Sequence, residues 1–236
     1  MEPQLTDVAS LVAPGRVSST RAVERALALL SEVCTREATT LTECARETRL
    51  SPSTALRLLR TLESAGFVSR DDGGGFRAGP RMIQLGATAI GRNELARLAA
   101  PALDRIGTAT RESAYLSIRG VDSTAVYIAQ VEGTHAVRHS SWIGRAVPMD
   151  GLAVGRVLRG EVPLEGYVAG RDRLEPDVTA IVAPIHFPGG VAGALSVLGP
   201  TYRIDHDAMH LYGRIVATEA VELSRQLGVL PDGPEA

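Results

Sequence analysis

Apolar and polar positions alternate in two distinct ways along the chain, helical through its first hundred residues and strand-like beyond. Val23, Ala26, Leu27, Leu30 and Val33 recur at helical spacing and predict a helix beginning at Thr20. Thr40-Leu-Thr-Glu43 has the spacing of a capping box and predicts a second, short helix reaching Thr48. A third helix is predicted from Ser51 to about Ala65. Ser51 suits its N-cap, Pro52 its first turn, and Gly66 its C-terminal stop, with Leu56, Leu59 and Leu62 as the apolar stripe. Residues 67–70 and 76–78, around the glycine-rich tip Asp71-Asp-Gly-Gly-Gly75, predict a β-hairpin.

From Pro80 a longer amphipathic stretch carries Met82, Ile83, Leu85, Ala89, Ile90, Leu95 and Leu98, enough helix to join two domains. Pro101 is expected to break it, with a further helix over 102–111. The period then changes to that of strands: 114–118, 125–130, 135–139, 179–185 and 192–198, the last two joined by Pro188-Gly-Gly190. A short helix is expected over 151–158, and a final one over 207–227 with Asp205 as its cap. Strands flanked by helices make the second part an α+β domain.

A short helix, a tight turn at Arg49-Leu50 and a capped helix with Ser, Thr and Arg on its open side have the form of a DNA-reading helix-turn-helix. An ordinary helical hairpin with a solvated polar face would look the same. The hairpin that follows tips the reading to a winged helix-turn-helix. A phosphate-cradling role for the three glycines would need a helix after them, and residues 76–78 read as strand. In this reading Ser51, Ser53, Thr54 and Arg57 face base edges, Arg60, Arg70 and Arg77 hold phosphates, and Thr40 joins the contacts. The alternative for the arginines is pairing with Glu63 or Asp71.

Net charge changes this picture little. At −2 the whole surface does not coat nucleic acid, but residues 51–69 hold Arg57 and Arg60 against Glu63 alone. All of the basic residues are arginine. No apolar run approaches the ~18–20 residues of a membrane span, and no secretory leader is legible, so a cytoplasmic setting is expected. Two cysteines make no disulfide framework. Nucleophile-elbow, Walker and zinc-spacing motifs are missing, which argues against an enzyme; no catalytic residue, metal or cofactor is expected. His206 and His210 could grip a metal from one helix face or simply decorate it, and Cys34 and Cys44 read as core thiols or oxidation sensors. A protein–protein module without DNA contact is the other rival.

With this layout, the sequence resembles the IclR family of bacterial transcriptional regulators over about residues 20–227. The resemblance rests on Leu41-Thr-Glu-Cys-Ala45, Leu50-Ser-Pro-Ser-Thr54, Arg57-Leu-Leu-Arg-Thr-Leu62 and Gly66-Phe-Val68, then on Ile143-Gly-Arg-Ala-Val-Pro-Met149, Gly155-Arg156, Gly166-Tyr167, Ala183-Pro184, Ala194-Leu-Ser196 and Gly199-Pro200. It implies a winged helix-turn-helix domain over 18–79, after a disordered tail at 1–17. A linker helix over 80–98 and a GAF-like effector and dimerisation domain over 99–230, built on a curved antiparallel sheet, would follow. Family members act as homodimers or tetramers on operator DNA, as repressors or activators, and many answer to small organic or aromatic acids. The family's ligand contacts fall here on Ala153, Val154, Gly170, Ala180, Ser196 and Leu198, with His139 and Ser140 as nearby polar candidates beside Arg138, Asp150 and Trp142. Gly170, Ala180 and Leu198 stand where acid-binding members carry polar atoms, which suits a more apolar effector. Two departures matter: Arg49 replaces the usual turn glycine, and only residues 157–165 intervene before Gly166-Tyr167, so the pocket is expected to be smaller or more open.

Overall fold

Side-chain caps and left-handed turn residues mark out the second and third helices in the computed structural model, which describes residues 20–139 and 141–229. The tail expected over 1–17 lies outside the described residues. Helix α1 (Arg21–Cys34) is followed by α2 (Leu41–Glu47), where the Thr40–Glu43 capping box forms in both directions. Arg49 then takes a left-handed φ of 53°, the conformation a glycine would adopt at less cost, and turns the chain into α3 (Pro52–Ser64). Gly66, at φ 77°, ends α3 in a Schellman arrangement, its N–H donating to Glu63 O and that of Phe67 to Leu62 O. Strands β1 (Val68–Arg70) and β2 (Phe76–Ala78) pair antiparallel as the wing.

Leu29, Val33, Cys44, Ala55, Leu58, Leu59, Val68 and Phe76 form the core of this unit. The expected α1 stripe is corrected by one face: Leu29 and Val33 are buried, whereas Val23 and Leu27 are 55% and 57% exposed. On α3 the buried set is Ala55, Leu58 and Leu59, with Leu56 and Leu62 at its margin. The chain divides into two units at Ala89/Ile90.

Helix α4 (Pro80–Gly91) buries none of its residues, and α5 (Glu94–Thr110) starts afresh at Asn93, whose Oδ1 accepts from Ala96 N–H at 3.0 Å. The single helix expected over 80–98 is therefore interrupted at Arg92-Asn93, and Pro101 sits inside α5 rather than breaking it. An interior proline costs about 3 kcal/mol; here it lies on an exposed turn, and burial of Ala99, Ala102, Leu103 and Ile106 on the sheet outweighs it.

The second unit is one six-stranded antiparallel sheet in the order β5-β4-β3-β8-β7-β6. Its strands are β3 (Ser113–Arg119), β4 (Thr124–Val131), β5 (Ala146–Pro148), β6 (Val168–Arg171), β7 (Val178–Phe187) and β8 (Gly190–Pro200). Helices α5 and α7 (His206–Gln226) cover one face, over Leu116, Ile181, Leu195 and Val197. The other face carries α6 (Ala153–Arg159) and a second core of Tyr115, Tyr127, Trp142, Val157 and Leu198. The strand expected over 135–139 is a loop: Thr134 N–H donates to Arg111 O, Arg203 Nη2 to Val137 O and Ser113 Oγ to His139 O, so its backbone is held from outside any ladder.

Candidate functional site

Two places, one in each unit, gather the candidate residues. In the first, α3 turns Leu58 and Leu59 inward and leaves Ser51, Ser53, Arg57 and Arg60 exposed along the opposite edge. Arg57 and Arg60, with Ser53, Leu56, Thr61 and Ser64, line a shallow open groove on that edge. No carboxylate pairs with Arg57, Arg60 or Arg77 among the described residues, so three guanidiniums are left for a phosphate or a base. Arg70 differs: its Nε lies 3.3 Å from Glu63 and its guanidinium 4.7 Å above the Phe76 ring.

The hydroxyls at the start of α3 are partly engaged. Thr54 N–H donates to Ser51 Oγ, which itself donates to Thr54 Oγ1 at 2.8 Å and lies 3.2 Å from Ser53 Oγ. Thr54 is half-buried. Thr40 is committed to its cap, with its N–H and hydroxyl each 2.8 Å from Glu43 Oε2. These hydrogen bonds hold the Glu43 carboxyl below its ordinary range. Cys34 is exposed at the end of α1, contrary to its reading as a core thiol, whereas Cys44 is buried and burial pushes its thiol up.

In the second unit a narrow, partly open pocket lies against the sheet face that carries α6. Five of the positions singled out for effector contact, Ala153, Val154, Gly170, Ala180 and Leu198, line it. Register explains this: Gly170 pairs with Ala180 and Ala180 with Leu198, so three strands present one row to the same side. Ser196 does not line it; it is wholly buried two residues along β8, in register with Tyr115 and Val182, and its Oγ has no hydrogen-bond partner among the described residues. His139 stands beside the pocket, its Nδ1 2.7 Å from Tyr115 Oη. Ser140 lies outside the described residues. Arg138 and Asp150 pair instead with Glu132 and Arg159.

Trp142 is a pocket wall, as its type and place suggested, joined by Tyr127 and Leu152 and by Arg173, Leu174 and Glu175 of the β6–β7 loop. Sequence reasoning missed these loop residues because a charged, irregular hairpin connection carries no period. His206 and His210 meet edge-to-face with ring centres 4.4 Å apart, and His210 Nδ1 is 2.7 Å from Tyr167 Oη; no cluster of three metal-type ligands occurs among the described residues. None of their helices is long and apolar enough to cross a membrane.

A winged helix-turn-helix with an exposed Ser/Arg edge, followed by an antiparallel-sheet domain with its own pocket, defines the class of helix-turn-helix regulators. Comparison with known families narrows that class. Residues 22–72 match the IclR helix-turn-helix domain and residues 87–163 the bacterial transcriptional regulator IclR C-terminal domain, together more than half of the chain. The chain is 28% identical to the HTH-type transcriptional regulator BhcR of Paracoccus denitrificans, over 91% of this chain and 90% of that one. An IclR transcriptional regulator from Alicyclobacillus acidocaldarius superposes with a TM-score of 0.77 at 26% identity, over 89% of this chain and all of that one. An IclR homologue from Microbacterium hydrocarbonoxydans, solved with 4-hydroxybenzoate, shares the fold at TM-score 0.70 and 23% identity, over 87% and 98% of the two chains. The chain belongs to the IclR family of transcriptional regulators, a DNA-binding rather than an enzymatic role.

Proposed function

We propose that this regulator reads operator DNA with the Ser51–Arg60 edge of α3 and is switched by a small organic acid in the second-unit pocket, as a cytoplasmic homodimer or a tetramer built from it. The observation that carries the reading is the one-sided burial of α3: Leu58 and Leu59 hold it in the core while Ser53, Arg57 and Arg60 stay exposed and free of carboxylates. Arg57 suits a bidentate guanine contact, and Arg60 and Arg77 suit phosphates. Arg70, already paired with Glu63, contributes less. Val23, Leu27, Ile83 and Leu85 are exposed on α1 and α4, apolar surface that a second copy of this chain would cover.

The pocket's apolar wall, its two aromatics and Arg173 in its lining, which meets no carboxylate among the described residues, favour an acid with an apolar or aromatic body. The 4-hydroxybenzoate held by the Microbacterium relative supports that class. Ligand binding would shift the population between two settings of the paired reading heads. The test is fluorescence anisotropy with duplexes from the gene's own upstream region. Binding that is sequence-selective and lost at about 0.5 M salt is expected; no binding, or binding indifferent to salt, would overturn the reading.

A further inference from the structure

The β6–β7 loop, residues 172–177, sets one carboxylate at the rim of the pocket, and groups from two other segments hold it there. Arg145 Nη1 donates to Glu175 Oε1 at 2.8 Å, and His139 Nε2 lies 3.6 Å from Oε2. Both partners pack on the same indole: the Arg145 guanidinium is 4.3 Å from the Trp142 ring centre, and the His139 ring meets it edge-on, also at 4.3 Å. Tyr115 steadies His139 through Nδ1. A guanidinium donor, a ring nitrogen and an aromatic wall beside an apolar pocket make a seat for a carboxylate. Its occupant is the protein's own side chain.

We propose that Glu175 is a built-in stand-in for the acid group of the effector, and that a carboxylate ligand enters by displacing it from Arg145. The inference rests on the reading of this pocket as the effector site, and it adds the residue that sets the threshold for binding. Two carboxylates cannot share the seat, because like charges at contact distance repel and the single guanidinium pairs fully with only one. The displaced side chain has somewhere to go. Glu175 also borders a second hollow, lined by Val137, His139, Pro176, Asp177, Pro200 and Tyr202. The loop that carries it is closed at both ends by left-handed aspartates, Asp172 and Asp177 (φ 51° and 59°), tied by Asp172 N–H to Val178 O and by Thr201 N–H to Asp177 O, while residues 173–176 between them belong to no strand. A ligand of the same shape without the charge gains nothing from Arg145 and leaves Glu175 in place.

Trp142 is the chain's one tryptophan, so its fluorescence reports the seat directly. Full-length protein and its Glu175→Gln variant would be titrated with benzoate and with the neutral isostere benzamide, and quenched by iodide and by acrylamide without ligand. Glu175→Ala serves as a second variant, with folding checked by circular dichroism. Removing the competitor should tighten benzoate about tenfold, the scale of one charge-assisted hydrogen bond, and leave benzamide unchanged. Iodide quenching should rise while acrylamide quenching holds. Equal benzoate affinity in both proteins would place the acid elsewhere, on Arg173 for instance, and overturn the proposal; so would iodide quenching that does not move. Silence from both probes in both proteins, with iodide quenching raised, would sink the effector-site reading and leave the anion seat standing.

Discussion

Arg203 grips the carboxylate of Glu112 at two points, Nε to Oε1 at 2.6 Å and Nη2 to Oε2 at 3.0 Å, with the glutamate side chain wholly buried. The same guanidinium donates to Val137 O at 2.8 Å, so one ion pair ties the start of β3 to the loop that positions His139. Arg203→Met should cost about 3 kcal/mol in urea unfolding, because it leaves the buried Glu112 carboxylate without its guanidinium, with only the His135 ring 3.8 Å away. The double change Glu112→Gln with Arg203→Met should recover much of that loss. Equal instability of the single and the double variant would show that packing, not charge, holds this corner.

Arg57→Ala and Arg77→Ala should separate reading from holding. Loss of a base-edge guanidinium costs about 1–3 kcal/mol of discrimination and narrows the gap between operator and random duplex. Loss of a phosphate contact weakens both duplexes alike and reduces the salt slope by about one unit. Anisotropy titrations at several salt concentrations distinguish the two outcomes.

Gly155 is packed so closely that a Cβ there would sit 1.7 Å from the Met149 carbonyl oxygen. Gly155→Ala must push α6 off the sheet, with Ala153 and Val154 of the pocket wall. A loss of about 3 kcal/mol is expected, at the upper end for overpacking since backbone cannot rotate away. Gly86, inside α4 with open space around it, is the contrast: Gly86→Ala should stabilise by about 0.5–1 kcal/mol through helix propensity. Thermal melts of the two variants should move in opposite directions.

The Thr40–Glu43 box predicts an acid limb. Backbone and hydroxyl hydrogen bonds from Thr40 favour the ionised Glu43, so its folded pKa lies below the unfolded one. Its contribution is therefore complete above the ordinary glutamate value, near pH 4.3, and fades as pH falls through the lower folded value. Glu43→Gln should flatten that part of a stability-versus-pH curve. Thr40→Ala should cost about 1 kcal/mol at neutral pH, the usual worth of an N-cap.

Ser196 is buried with a hydroxyl that has no partner among the described residues, which is costly in a finished core. Ser196→Ala should raise thermal stability by about 1 kcal/mol. A fall in stability would mean that the hydroxyl has a partner in solution.

What the sequence revealed follows from how local each signal is. The N-cap at Ser51, the Thr40–Glu43 box and the Gly66 stop are decided within five residues, and each forms as expected, while Arg49 takes the left-handed turn in the place of the usual glycine. Strands β7 and β8 are long, apolar and centrally placed, so their period shows. Strands β5 and β6 were missed: they are three and four residues long, on the sheet's margins, and include Pro148 and Gly170. The uninterrupted reading across Arg92-Asn93 failed because apolar residues on both sides keep the same period, while only the Asn93 side chain marks the new start. Residues 135–139 looked extended because their anchors, Arg111, Ser113 and Arg203, are distant in the chain. In the pocket, positions on paired strands were legible through the family resemblance, whereas Arg173, Leu174 and Glu175 are placed by a hairpin loop alone.

The short outer strands have a further consequence. A β-sheet can grow by recruiting an extended segment along an unpaired margin, the route to strand-swapped and fibrillar aggregates. Here one margin is closed within three residues by the imino ring of Pro148, and the other is a four-residue ribbon interrupted by Gly170 and ending in the charged Arg171. Neither offers a template for backbone annealing, so edge-to-edge strand pairing between copies of this chain is disfavoured.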